Sequence, residues 1–515
     1  MREALIDPGM QTDLDLLLAD AARIAPEAFD SGHRLLSPVG PRWRAPARWL
    51  RTTSPIDGRD LAEIPSFDLE SAVRAVDDAA DEAPAWAALR FAERAALVDE
   101  ALGALATHRD TLVGLLAWEI GKTAAAAGND VDRCLSGARW YLDTPDLFEG
   151  RRPLGLVSNV ASWNYPFSVL LMNVVVQALA GNAVIAKIPS LGGGIALTTA
   201  FAFLRRAGLP VTLVGGRGAE LTEALVGHSR IAAVAFVGGR TNGAAVAGRL
   251  RASGKRYALE MEGINAYAIT GFTDWAGLEK QIRGGFDFGK QRCTAYTRWV
   301  VEASLVPQFV DTWVHAVSPL RVGHPFLAGR KVDFGPLISA TKVEELRTRI
   351  GEAIVHGAGV LHEHALDPAD FAPGQDRSAY LAPTLLANVT APSDLYFREP
   401  FGPVDVVVAV HDDEALVREA NVSRGALVAS VATDDPVRGE AIAARLDAYK
   451  VGINRLRSRG DREETFGGTG ESWEGAFVGG ANLVLAFTEG KTPPDGNQPP
   501  GRRGKATEDR ATAAV

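Results

Sequence analysis

The sequence predicts an α/β protein whose parallel sheet is covered on both faces, and three observations carry that expectation. From Leu154 onward, short apolar runs of strand length alternate with stretches of helical period, the pattern of parallel strands joined by right-handed helical crossovers. Ahead of that point the chain is alanine-rich and helical in period up to about Tyr141. At 515 residues it also exceeds what one hydrophobic core usually supports, so two or three domains are expected.

Taken in order, 14–24 is a short amphipathic stretch, followed by a Pro/Arg-rich segment ending in Trp49. Ser54-Pro55-Ile56-Asp57-Gly58 is a turn signal between two extended pieces. Ser71 to Val76 opens the helices, and within them Glu119-Ile120-Gly121-Lys122 reads as a helix end with glycine at its cap. Cys134 has apolar neighbours and reads as a core residue. Strands are expected at 155–161, 183–187, 211–214 and 231–236, with helices at 167–180, 194–207 and 219–226. The same texture returns later, with strands at 298–301 and 404–410 and helices at 342–356 and 435–446. A glycine-rich run, Phe466-Gly467-Gly468-Thr469-Gly470, precedes a last expected strand at 481–487. The tail from about Gly490 has too little apolar content to fold. No internal repeat is present.

Composition narrows the function. Hydrophobic residues at 47% and charged residues at 23% suit a soluble globular protein. A formal charge of -9 leaves no basic excess to neutralise phosphates, which argues against a nucleic-acid partner. Two cysteines make no disulfide framework, as in a reducing compartment. No run approaches the roughly 20 apolar residues that cross a bilayer, and Met1 to Asp7 lacks a signal-peptide pattern. A cytoplasmic protein without a membrane partner is expected. None of the nine histidines has a zinc-binding spacing, and no phosphate-loop or Gly-x-Gly-x-x-Gly signature follows a strand.

The candidate chemistry centres on Gly284 to Ala295, where Cys293 stands among glycines with Lys290 and Arg292 beside it. A thiol is nucleophilic as thiolate, and nearby cations lower its pKa. Trp163-Asn164-Tyr165-Pro166 follows an expected strand, and an asparagine there can offer its amide to a developing oxyanion. Lys187 closes a buried strand, where it reaches a nucleotide hydroxyl or snorkels. Phe236-Val237-Gly238-Gly239 joins a strand to a helix, so its amides can face a pyrophosphate. Glu260 and Glu262 lie two apart, on one face of an extended segment, and a glutamate in a dry site can act as general base. Glu399-Pro400-Phe401-Gly402-Pro403 joins an acid and an aromatic to rigid turns.

In this order, the blocks Glu119–Lys122, Trp163–Pro166, Lys187–Ser190, Phe236–Gly239, Glu260–Ile264, Gln291–Ala295, Glu399–Pro403 and Thr465–Gly468 resemble those of the aldehyde dehydrogenase superfamily, over roughly residues 53–490. The resemblance implies two doubly wound, Rossmann-like parallel-sheet domains and a small bridging element for oligomerisation. Its expected boundaries are an extension at 1–50, a cofactor-binding domain at 51–140 and 156–258, and a catalytic domain at 259–476. The bridge takes 141–155 and 477–490, and the tail 491–515. The resemblance also implies a small aldehyde as substrate and NAD or NADP as cofactor. Cys293 becomes the nucleophile of a thiohemiacetal and then a thioester, Asn164 the oxyanion donor, and Glu260 the base that activates water. For the cofactor it implies Lys187 and Glu399 at the ribose hydroxyls, Ser190 and Trp163 beside the first of these, Gly238 and Gly239 at the pyrophosphate, and Phe401 against the nicotinamide.

Several blocks depart from the family pattern. Lys290 replaces a glycine, Glu262 a glycine and Ile264 a lysine. Val237 and Gly239 replace hydroxyl residues. Ser190 stands where a glutamate normally repels a 2′-phosphate, so NADP is expected to be accepted. A short segment at 141–153 bears on assembly, with a homodimer or higher homo-oligomer expected and the strand at 481–487 as its pairing edge. Three alternatives stay open: a coenzyme A-acylating relative, a cofactor-independent thiol esterase, and a catalytically impaired relative that acts as a binding protein.

Overall fold

The computed structural model describes residues 12–460 and 462–490. The chain parts into two compact units, one running to Leu259 and resuming at Gly475, the other from Glu260 to Glu474.

In the first unit, β1 (Leu156–Val160), β2 (Ala183–Lys187), β3 (Val211–Val214), β4 (Ile231–Gly238) and β5 (Arg256–Met261) stand in the order β5-β4-β1-β2-β3. β1 pairs in parallel with both β2 and β4, and β2 with β3. Every residue of β2 is buried, which is why Ala-Val-Ile-Ala reads as an unbroken apolar run rather than an alternation. Helices α1 (Met172–Leu179), α2 (Gly194–Arg206) and α3 (Arg240–Arg251) follow β1, β2 and β4. The helix expected over 167–180 opens as a wide π-turn at Pro166–Leu171 before α1. The expected alanine-rich helices run from Leu69–Asp81 to Ala124–Leu142, and Cys134 is buried in the last of them.

The second unit holds β6 (Asn265–Ile269), β7 (Tyr296–Glu302), β8 (Gly359–Glu363), β9 (Thr384–Ala387), β10 (Val404–Val410), β11 (Ala426–Ala432) and β12 (Ala448–Ile453), in the order β8-β9-β10-β7-β6-β11-β12. All neighbours are parallel except β8, which pairs antiparallel with β9. One apolar cluster includes Ala268, Val300, Leu416 and Ile442, and a second Leu346, Leu386, Leu395 and Val404.

One expected strand is a helix. Residues 481–487 form a helix at Ala481–Ala486, and the strand that follows is only Thr488–Glu489, paired antiparallel with Arg152–Pro153. An unbroken apolar run does not distinguish a buried helix from a buried strand. Here alanine and leucine favour the helix, and Leu483 to Ala486 are all buried. The tail expected to lack structure lies, from 491, outside the described residues. Among the described residues no helix is long and apolar enough to cross a membrane.

Candidate active site

In the first unit, the carboxyl ends of β1, β2 and β4 open onto a cavity of about 600 Å³. Trp163, Lys187, Ser190, Gly238 and Gly239 all line it, with Val160, Leu225 and Val246 as apolar walls. Ligands of open parallel sheets bind at this end. Lys187 is the last residue of β2 and is buried, its Nζ donating to the Ile188 carbonyl (2.8 Å) and to Ser190 Oγ (3.0 Å). Burial pushes its pKa down to about 8. Gly238 ends β4 and Gly239 caps α3; a Cβ at Gly238 would stand 2.7 Å from the Phe236 ring. Asn164 follows Trp163, is buried, and accepts a bond from Ser162 Oγ at 2.6 Å; it is not part of the cavity lining.

The Glu119–Lys122 block supports this region from beneath. Glu119 accepts from the backbone N–H of Ile195 (2.8 Å) and Ala196 (2.9 Å) and so caps α2. Burial nevertheless pushes its carboxyl up to about 7, against those bonds. Lys122 pairs with Asp130 at 3.1 Å, both fully buried, and its ammonium sits 4.1 Å from the Tyr165 ring centroid. Asp130 in turn accepts from Ser168 N at 2.8 Å. The block thus holds the turn that carries Trp163 and Asn164.

In the second unit, Cys293 lies in the turn between a 3-10 segment, Asp287–Lys290, and β7. Phe288, Gly289 and Lys290 have φ of 53, 59 and 60°, three left-handed residues in succession. For Phe288 and Lys290 that conformation costs about 1–2 kcal/mol each. The surroundings over-determine it. Gln291 Oε1 accepts from Ile338 N (2.9 Å) and its Nε2 donates to the Pro336 carbonyl (3.2 Å). Asn265 Nδ2 donates to the carbonyls of Cys293 (2.8 Å) and Ala295 (2.9 Å).

The half-buried Cys293 thiol lies within electrostatic reach of the buried Glu260. Burial first, then the charge of Glu260, pushes its pKa well above the usual thiol value, with Arg459 opposing. This corrects the expectation that Lys290 and Arg292 activate the thiol. Lys290 turns into the core, where its Nζ meets Asp405 at 2.5 and 2.7 Å and the Tyr296 carbonyl at 2.8 Å. Trp313 Nε1 completes the Asp405 carboxylate at 2.8 Å. Arg292 points back to the Gly285 carbonyl at 2.8 Å. The cation at the thiol is instead Arg459, whose Nη2 is 3.6 Å from Glu260 Oε2. The alternating run Arg455, Arg457, Arg459, placed between Asn454 and Phe466, was the signal for it. Asn265, directly after the Glu260–Ile264 block, was the signal for the loop anchor.

Glu399 is buried, and neither carboxylate oxygen has a hydrogen-bond partner. Burial, then the charge of Glu262, pushes its pKa well above the carboxylate range, while Lys342 and Arg349 oppose. Phe401 is half-buried with φ of 51°. Among the described residues no group of three acidic, histidine or cysteine side chains is placed to hold a metal.

The model of the aldehyde dehydrogenase family matches residues 43–492. A curated α-ketoglutaric semialdehyde dehydrogenase of Bacillus subtilis (strain 168) is 26% identical over 464 residues, 86% of this chain and 94% of that protein. Among solved structures, the NADP-dependent glyceraldehyde-3-phosphate dehydrogenase of Bacillus halodurans C-125, complexed with NADP, superposes with a TM-score of 0.79 at 25% identity, covering 89% of this chain and 98% of that one. Betaine aldehyde dehydrogenase of Staphylococcus aureus in complex with NAD+ gives 0.83 at 21% identity, covering 92% and 96%.

Proposed function

The chain belongs to the aldehyde dehydrogenase family and is an NAD(P)-dependent enzyme that oxidises an aldehyde to a carboxylic acid; on that premise we propose that Cys293 is its nucleophile and Glu260 its base. The observation that carries this reading is the buried Glu260 carboxylate beside the Cys293 thiol, its charge acting on the thiol and its Oε2 left without a hydrogen-bond partner. Because the thiol is held well above its usual pKa, it needs a base beside it to react near neutrality. Glu260 takes the proton as Sγ bonds to the aldehyde carbon. The oxyanion of the thiohemiacetal is given to the Asn164 amide and the Cys293 backbone N–H. When bound, the nicotinamide supplies the hydride acceptor that makes the thiohemiacetal a thioester. Glu260 gives that proton up to solvent and then takes another from water; the hydroxide adds to the thioester carbon, and the acid leaves as the departing sulfur takes the proton back from Glu260 and the thiol is restored.

For the cofactor, the residues present fit. The cavity has apolar walls, with Lys187 and Ser190 at one side and Gly238 and Gly239 at another. Glu399 offers two buried oxygens that lack donors, as ribose hydroxyls would supply. Lys187 and Ser190 would hold the adenosine ribose, Glu399 the other ribose, and Trp163 and Phe401 pack beside the dinucleotide. Ser190 in hydrogen-bond contact with Lys187 supports acceptance of NADP as well as NAD. A strong preference for NAD in catalytic efficiency overturns that part. A homodimer in the cytoplasm is the proposed setting, resting on family membership and on two free cysteines; light scattering that gives a monomer overturns the dimer.

Absorbance at 340 nm with a panel of aldehydes and either cofactor tests the reaction. Reduced cofactor is expected from the native enzyme and none from Cys293→Ala. Equal signal from both removes Cys293 as nucleophile, and silence from the native enzyme favours an impaired relative.

A further inference from the structure

The turn at 399–402 rests on one face of α4 (Ala340–Val355). Lys342, Leu346 and Arg349 share that face at i, i+4 and i+7. Leu346 lies directly under the turn, since a Cβ at Gly402 would stand 2.5 Å from its Cδ1. Arg349 is buried, and its guanidinium spans two successive carbonyls. Nη1 donates to the Glu399 carbonyl at 3.1 Å and Nη2 to the Arg398 carbonyl at 2.9 Å. Phe401, two residues on, is left-handed at φ 51°, a conformation that persists where the surroundings impose it.

Arg349 thus acts on the Glu399 carboxylate without bonding it. Both Glu399 carboxylate oxygens are buried and lack a hydrogen-bond partner. Lys342, the other cation that offsets the burial of Glu399, donates to Glu345 at 2.9 Å. The exposed Glu345 is also the carboxylate nearest Arg349 along α4, 3.5 Å from Nη1. A cation that holds the main chain on both sides of an acid supports its charge while leaving its oxygens to an outside donor. Arginine suits that task, because its planar fork reaches two acceptors in fixed geometry.

Resting on the reading above, in which Glu399 takes one ribose of the dinucleotide, we propose that Arg349 is the positioning residue of that subsite. By fixing the carbonyls of 398 and 399 it keeps the Glu399 oxygens in place for ribose hydroxyls and offsets their charge. It touches no ligand itself. Its effect falls on the whole dinucleotide and not on the adenosine half.

The test is equilibrium binding by calorimetry, which needs no turnover. NAD and AMP are titrated into the native enzyme, Arg349→Met, Arg349→Lys and Glu399→Gln. AMP carries only the half given to Lys187 and Ser190, so it reports general damage. Arg349→Met should bind NAD about tenfold more weakly, the size of one lost charge-assisted contact, with AMP unchanged and Arg349→Lys intermediate. Glu260 and Glu262 then act on Glu399 with Lys342 alone opposing. The pH below which NAD binding weakens should therefore lie higher in Arg349→Met than in the native enzyme or Arg349→Lys. Equal losses on NAD and AMP, or unchanged NAD binding, overturn the proposal. Native-like NAD binding by Glu399→Gln removes the ribose reading itself. Weakened binding there, beside native-like binding by Arg349→Met, removes Arg349 alone. If Arg349→Met does not fold, Arg349→Lys decides, because one ammonium cannot reproduce the fork: about threefold weaker NAD with unchanged AMP is expected, and no loss overturns the proposal.

Discussion

The end of β2 and the turn before Cys293 each bury a lysine, and they satisfy it in opposite ways. Lys290 has a carboxylate, a carbonyl and two aromatic rings around its ammonium. Lys187 has one carbonyl and one hydroxyl, and burial alone brings its pKa down to about 8. The acids show the same division. Glu119 has backbone N–H donors on both oxygens, whereas Glu399 has none on either. Burying a charge is costly unless partners inside the protein replace water. A buried group with its partners in place is scaffold; one left short of partners beside a cavity, or next to a nucleophile, is where a ligand completes the set.

Breaking the scaffold pair should have the largest effect. Asp405→Ala strands the Lys290 ammonium in the core and is expected to cost about 3–5 kcal/mol, read as a fall in denaturation midpoint. The double variant Lys290→Gly with Asp405→Ala should recover much of that, because glycine also relieves the left-handed backbone. No recovery would mean that the pair is not what the turn depends on.

Glu399→Gln should behave in the contrary way. Its oxygens bond nothing within the protein, so the Tm should hold or rise, while the KM for the dinucleotide rises about tenfold through lost contacts to the ribose. A large fall in Tm with unchanged KM would make Glu399 scaffold and erase the distinction.

The smallest effect is a pH dependence. Lys187 is charged below about 8 and loses its proton as pH rises through that value. A 2′-phosphate needs the charge, whereas a ribose hydroxyl can still accept from the neutral amine. The KM for NADP should therefore climb above pH 8 while that for NAD changes less, and parallel curves would remove Lys187 from the phosphate.

Much of this was legible in the residues. The strands at 183–187 and 404–410 are unbroken apolar runs, and they are the strands observed. Cys293 and Glu260 stand out by residue type and block order, and the charge of Glu260 acts on the thiol. What stayed hidden depends on distance along the chain. Lys290 reads as a cation beside a thiol because the two are three residues apart, yet its partner is 115 residues away in β10. Its left-handed φ turns the side chain from Cys293 into the core, and no local pattern reports that. The nearness of Arg459 to Glu260 gives no local signal for the same reason, since Glu260 belongs to a distant block. The helix at Ala481–Ala486 differs from the expected strand because four successive buried apolar residues erase both periodicities.

The central claim is that Cys293 carries the acyl group and Glu260 releases it. In Glu260→Gln the lost charge lets the thiol ionise more readily, so acylation continues slowly while water is no longer activated. After long incubation with an aldehyde and oxidised cofactor, quenching and digestion, the peptide containing Cys293 should accumulate with the mass of the aldehyde less two hydrogens added, as a thioester, while the native enzyme shows little. No adduct on that peptide, with cofactor reduction still proceeding, would contradict the account.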